Sequence, residues 1–268
     1  MRLQSRDYLQ GLTDEEEKEY NKVLEEERLG FPKFGRKNLF YKYPKAARHL
    51  LSLFPNNYLD INELKEKDLL ESKNRDFYDI INNPNTTERT VLNFINQNGN
   101  YYIIGAILKC GGYRFGHHSA YLFPEFQLGA SMRPDYLLIG ESSGGFEFVF
   151  VELESVYGRI TLQDGNLGDS FNKGIRQVND WSRWLQANYN YLYTTFLDCK
   201  SMNEQLSQEF IQYDESRIHY VVIAGRRSNF NELTYRIGRE FESKQKIKLL
   251  HYDNLIDYSN NIIGENSY

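Results

Sequence analysis

Residues 133–154 read RPDYLLIGESSGGFEFVFVELE, and the fold is decided in this stretch. Two runs rich in aromatic and β-branched residues, 134–139 and 146–154, flank Glu141-Ser142-Ser143-Gly144-Gly145, whose serines and glycines suit a hairpin turn. With the turn centred near Ser143, Asp135 falls opposite Val151 or Glu152, so two carboxylates meet across strands. Side chains alternate along the second strand. Phe146, Phe148, Phe150, Glu152 and Glu154 share one face, while Val149, Val151 and Leu153 occupy the other. Both faces are apolar until the strand ends. This describes a central strand covered on both sides, with acids at its carboxyl end, where open α/β sheets hold ligands.

Carboxylates facing each other across a ladder repel, and apolar surroundings make their ionisation costlier unless a cation neutralises them. Hard oxygen donors without nearby cysteine favour magnesium or manganese over zinc, and magnesium commonly takes one or two carboxylates together with phosphate oxygens. The competing reading is that these acids are exposed strand ends paired to arginines.

Outward from the hairpin, Phe171, Ile175, Val178 and Leu185 recur at helical spacing and predict a helix over 170–186. A strand over 217–224, a helix over 231–244 and a strand over 247–252 then suggest a parallel crossover pair. Upstream, strands are expected at 101–109 and 121–127. Pro84-Asn85-Thr86-Thr87 opens a helix that ends near Gly99, with Asn85 as its cap and Glu88 as its capping-box glutamate. Thr13 and Glu16 form a capping box for a helix over 14–29, stopped by Gly30 and Pro32. Residues 45–81 are mostly helical and charged, broken at Pro55 and Asn56-Asn57. The organisation expected is a helical N-terminal module over 1–80, for DNA sensing or assembly, and an α/β domain over 81–268 with a mixed sheet flanked by helices.

The 268 residues carry 32 basic and 37 acidic side chains, and a net charge of -5 argues against coating nucleic acid through bulk charge. Locally, Lys33, Arg36, Lys37, Lys42, Lys45 and Arg48 lie among Phe34, Phe40, Tyr41 and Tyr43 with no acidic residue between them. Such a stretch suits phosphates and bases, or else its aromatics simply pack inward. A mean hydropathy of -0.64, the lack of an 18-residue apolar run and the charged start predict no membrane span, no signal peptide and a cytoplasmic location. Two cysteines, Cys110 and Cys199, exclude a disulfide framework and a four-cysteine metal site, and read as buried thiols. His117-His118 reads as a turn or surface pair, and the glycines at 111–112 and 140–145 lack phosphate-loop spacing.

Arg133-Pro134-Asp135 followed by Val151-Glu152-Leu153-Glu154 resembles the PD-(D/E)XK nuclease signature, with E-x-E in place of E-x-K. The chain is similar in more detail to the nuclease domain of the Shedu anti-phage defence family. That likeness rests on the Glu88 helix, Phe123-Pro124-Glu125 to Gly129, Arg133-Pro134-Asp135-Tyr136, Val151 to Glu154, Gln177 to Trp181, and the closing Leu249-Leu250-His251-Tyr252-Asp253-Asn254-Leu255. It covers roughly residues 81–258.

The resemblance implies a restriction-endonuclease-like fold and a magnesium- or manganese-dependent DNA endonuclease that nicks or cleaves invading DNA, with a homo-oligomer as the expected assembly. Asp135 and Glu152 take the two metal-binding acid positions and the Leu153 carbonyl is a further ligand. Glu88 takes the place of an extra acid near a second ion or its waters. Gln177 and Trp181 resemble a Q-x-x-x-Y feature, with Trp181 equally readable as core. Arg133 and Arg176, with Lys37 and Lys42, are the candidates to hold the DNA backbone; Arg226 and Arg227 also flank the cleft in sequence. Where the family pattern has its lysine, this chain has Glu154. Either Lys173, one turn before Gln177, supplies the ammonium, or Glu154 acts as a base or added ligand. The alternative is a catalytically weakened DNA-binding or regulatory module.

Overall fold

The structure is a computed structural model that describes residues 3–4, 6–30, 35–113, 115 and 119–268; the side chains of 35–37 also lie outside the description. Ten α-helices are described: α1 Asp14–Arg28, α2 Gly35–Lys42, α3 Pro44–Leu51, α4 Lys67–Asn82, α5 Glu88–Gln97, α6 Tyr102–Cys110, α7 Asp169–Asn188, α8 Leu192–Cys199, α9 Glu232–Gln245 and α10 Tyr252–Ile262. Five strands, β1 Ala120–Pro124, β2 Tyr136–Ser142, β3 Gly145–Leu153, β4 Ile218–Ile223 and β5 Ile247–Leu250, form one sheet in that order. The first three strands are antiparallel neighbours, and β3, β4 and β5 are parallel. The mixed sheet and the β4–α9–β5 crossover match the expectation from sequence.

The hairpin register is set by its turn. Ser142 faces Gly145 across a two-residue loop, and Gly145 takes φ +100°, a conformation that suits glycine. From there the ladder runs to Tyr136 opposite Val151, so Asp135 stands beyond the last pair, level with Glu152. Central β3 is buried along Phe148–Leu153. Beneath one face lies α7, through Phe171, Ile175, Val178, Trp181 and Leu185. Helix α6, buried along Tyr102–Leu108, packs against β1, β2 and α10.

The expected strand over 101–109 is instead the helix α6. Its run Tyr-Ile-Ile-Gly-Ala-Ile-Leu is buried all round, and a continuous apolar run fits a buried strand or a buried helix equally by periodicity. Gly105 shows why the helix fits here: a Cβ on it would stand 2.8 Å from the Tyr268 ring, which packs against that helix face.

The N-terminal region shares the core. Buried side chains from Val23 to Tyr268 form one contiguous cluster. The outer edge of β1 is covered by residues 57–59: Leu122 N–H donates to Asn57 O at 2.9 Å and Leu59 N–H to Ala120 O at 2.9 Å. An exposed edge would template aggregation, so this cover also protects the sheet.

Within the basic stretch, the inward-packing reading describes what is seen. Phe40 is buried and stacks on Tyr58. Arg48 is buried, ion-paired to Asp60 at 2.6 Å, and lies over the Tyr8 and Tyr58 rings. The Thr13–Glu16 capping box is present. Cys110 and Cys199 are half-buried rather than buried. Lys33, Phe34 and His117-His118 lie outside the described residues. Among the described residues no helix is long and apolar enough to cross a membrane.

Candidate active site

At the carboxyl end of β3 the acids are not exposed strand ends. Glu152 is 5% exposed and Glu154 1%, which overturns the surface reading. Asp135, half-buried, accepts a 2.7 Å hydrogen bond on Oδ2 from the Leu153 N–H, which ties the start of β2 to the end of β3. Leu153 N–H therefore points toward Asp135, and in a strand the carbonyl of the same residue points to the same side. This brings Asp135, Glu152 and the Leu153 carbonyl to one corner of the sheet.

Helix α7 closes that corner because of a glycine. A Cβ on Gly174 would lie 2.5 Å from Val222 Cγ1 and 3.2 Å from Glu154 Cγ, so only glycine lets the helix come down on β3 and β4 here. The flanking residues then reach the acids. Gln177 Nε2 donates to Glu152 Oε1 at 2.6 Å, and Lys173 Nζ donates to Glu154 Oε2 at 2.9 Å. Lys173 Nζ also stands 3.9 Å from Glu88 Oε2. Trp181, the other half of the Gln177 pair, is 2% exposed and belongs to the core.

Glu88 is not a capping-box glutamate. The cap of α5 is Thr87, whose hydroxyl accepts from the Thr90 N–H at 3.2 Å, and Asn85 precedes it. Glu88 is therefore the first residue of the helix, with its carboxylate directed toward Lys173 and the acid cluster.

The electrostatics follow from burial. Desolvation raises Asp135 above the usual carboxylate range, against the Leu153 hydrogen bond, which lowers it. Glu152 is raised by burial first and then by the charges of Asp135, Glu154 and Glu88. Glu154 is also raised by burial, with Lys173 opposing. Burial would lower Lys173, but its bond to Glu154 holds it above its ordinary value. Three oxygens at this corner, Glu152 Oε2, Glu154 Oε1 and Gln177 Oε1, are buried without a hydrogen-bond partner. Buried polar atoms are rarely left so, and orphans concentrated in one place ask for a ligand.

Among the described residues no three His, Cys, Asp or Glu side chains stand ready to enclose an ion. The donors here are carboxylates, a carbonyl and an amide oxygen, all hard. They fit magnesium or manganese, which leave several positions to water and phosphate, better than a closed protein cage.

Of the candidate DNA contacts, Arg133 is exposed and donates to Gln127 Oε1 at 3.0 and 3.2 Å. Arg176 is exposed on α7 between Lys173 and Gln177 in sequence. Lys42 lies 3.7 Å from Glu26 of α1, in the N-terminal helices, and the Lys37 side chain lies outside the described residues. Arg226 is a structural hub: it holds Asp253 at 2.8 and 3.1 Å and Asn82 Oδ1 at 2.8 Å.

Sequence reasoning passed over Tyr252. Its buried hydroxyl donates to the Glu154 carbonyl at 2.6 Å, and burial, followed by the charges of Asp135, Glu88 and Glu154, pushes it well above the tyrosine range. Its only local signal was its place in the closing Leu249–Leu255 run.

No curated protein matches the chain. A family model described as Shedu protein SduA, C-terminal, matches residues 85–256, more than half of the chain and all five strands. The protein accordingly belongs to the Shedu SduA family of anti-phage defence proteins.

Proposed function

We propose that the chain is a divalent-metal-dependent DNA endonuclease of the PD-(D/E)XK type, acting at Asp135 and Glu152. The observation that carries this reading is the set of buried, unpartnered oxygens on Glu152, Glu154 and Gln177 beside two carboxyls raised by burial. A bound magnesium or manganese ion would supply an activated water and offset charge on the scissile phosphate. The Leu153 N–H fixes the Asp135 carboxylate, and the Gln177 amide orients that of Glu152. Lys173 stands where an E-x-K lysine would be useful, approaching Glu154 from a helix instead of from the strand. Its side chain is 54% exposed, so its ammonium reaches the opening through which a phosphate would enter. Arg133 and Arg176 are both exposed, flank the site in sequence, and suit the DNA backbone.

The test is conversion of supercoiled plasmid with magnesium or manganese. Wild-type protein should nick or linearise it, and Asp135→Ala and Glu152→Ala should both abolish the reaction while keeping a folded melting profile. Undiminished cutting by both variants would reject the assignment.

One observation favours a second reading, a DNA-binding module without hydrolysis: β3 carries no lysine, and Lys173 is engaged with Glu154. That module would bind DNA in a salt-sensitive way and cut under no divalent ion.

A further inference from the structure

We infer that a groove formed by Trp184, Tyr191 and Gly129 is a stacking subsite for an unpaired nucleobase of the strand whose phosphate lies at Asp135 and Glu152. The inference rests on the nuclease reading above and names the substrate that site prefers. Helix α7 provides the connection. Trp184 lies seven residues beyond Gln177, two turns or roughly 10 Å along the axis, and returns to the same stripe. Trp181 on that helix is core, but Trp184 is only half-buried.

The indole rests against the loop between β1 and β2. A Cβ on Gly129 would come within 2.9 Å of Trp184 Nε1, and the loop is tied there by Gln127 Nε2 donating to Gly129 O at 2.7 Å. The groove has a volume of about 430 Å³, within the range of small-ligand sites, and Gln127 and Asn188 contribute to its lining. Among the described residues, no charged side chain lines it. Tyr191, which also lines it, is 66% exposed and offers an aromatic face to an incoming ring.

Arg133 joins the groove to the acids. It donates to Gln127 Oε1, a lining residue, and precedes Asp135 by two positions. A cation bonded to a groove residue and close in sequence to a site carboxylate suits the alternation of phosphate and base along a single strand. An intact duplex keeps its bases stacked inside and would leave the groove unused. A strand end, flap or gap would fill it.

The test is equilibrium binding of the full chain in EDTA to a blunt duplex and to the same duplex bearing a short 3′ or 5′ oligothymidine tail. Stacking on one aromatic side chain predicts that a tail of one polarity tightens binding about tenfold, with quenching of tryptophan fluorescence. Trp184→Ala should abolish that preference, Tyr191→Ala should reduce it, and Trp184→Phe, which keeps an aromatic face, should retain most of it. A wild-type protein with no preference for either tail, or a preference unchanged in a folded Trp184→Ala variant, would overturn the subsite. The plasmid assay separates the two readings: a tail preference that depends on Trp184 without any cleavage sinks the nuclease and keeps the subsite, whereas cleavage without such a preference does the reverse.

Discussion

A buried glutamate with an unpartnered oxygen is costly, and this chain has two of them side by side, Glu152 and Glu154. Among the described residues, Glu154 is ion-paired directly, to Lys173 at 2.9 Å, whereas Glu152 feels that ammonium only at longer range. Removing it should therefore matter more to chemistry than to folding, because the lysine side chain is half in solvent. We expect Lys173→Ala to lower the cleavage rate about 10²-fold, the effect of deleting one charge-stabilising donor, with Lys173→Arg recovering part of it. Single-turnover rates at saturating protein would measure this, and an unchanged rate would remove Lys173 from the chemistry.

His251 offers a residue-scale prediction away from the acids. Burial holds it down to about 4, its Nδ1 lacks a hydrogen bond, and the Phe230 ring packs edge-on against it; Asp253, Arg227 and Asp257 are the charges facing it. A histidine depressed on folding binds more protons when unfolded, so stability is full above its ordinary value and falls as pH drops from about 6.5 toward 4. Across that window the Asp135 and Glu152 carboxyls, raised by burial, titrate with the opposite sign, so the histidine contribution is read from denaturant melts as the stability difference between wild type and His251→Asn, which should change by on the order of 2 kcal/mol. A difference that is independent of pH there would contradict the burial account. At this scale Asp135, Glu152, Lys173 and Gln177 were legible because strand alternation and helical spacing are local rules. Glu88 was misread as a cap because Asn85 and Thr87 are equally good cap residues, and long-range packing chose between them.

Among the elements, α7 carries the most consequence. Its approach to β3 depends on Gly174, so Gly174→Val should lift the helix from Val222 and Glu154, costing about 2 kcal/mol or more through overpacking. The same displacement withdraws Lys173 and Gln177 together, so cleavage should fall even where the variant remains folded. Chemical denaturation paired with the plasmid assay checks both effects, and a fully active, equally stable variant would show that the close approach is not needed. The hairpin and α7 were readable from sequence because their apolar patterns have clear periods. Helix α6 was not, since a residue buried on every side leaves no period to read, and its contact with Tyr268 joins positions far apart in the chain.

For the whole molecule, the N-terminal region and the sheet share one core, with residues 57–59 lying along β1. No local pattern announced that pairing, because it depends on the edge of a strand more than 60 residues away in sequence. The acid corner sits at the carboxyl end of central β3 in the same sheet, so strain from its crowded charges should register in global stability. In metal-free protein at neutral or higher pH, Glu152→Gln should raise the melting temperature, since it removes a carboxyl that burial raises far above its ordinary range, at a cost in stability, while keeping a group that Gln177 can contact.

The most direct measurement is therefore the melting temperature of wild-type and Glu152→Gln protein with and without millimolar manganese at pH 8. The account predicts that manganese raises the wild-type value by a few degrees and leaves the variant almost unmoved, because the ion binds the folded acid corner and the variant has lost a donor. Equal shifts in both proteins, or none in the wild type, would contradict it.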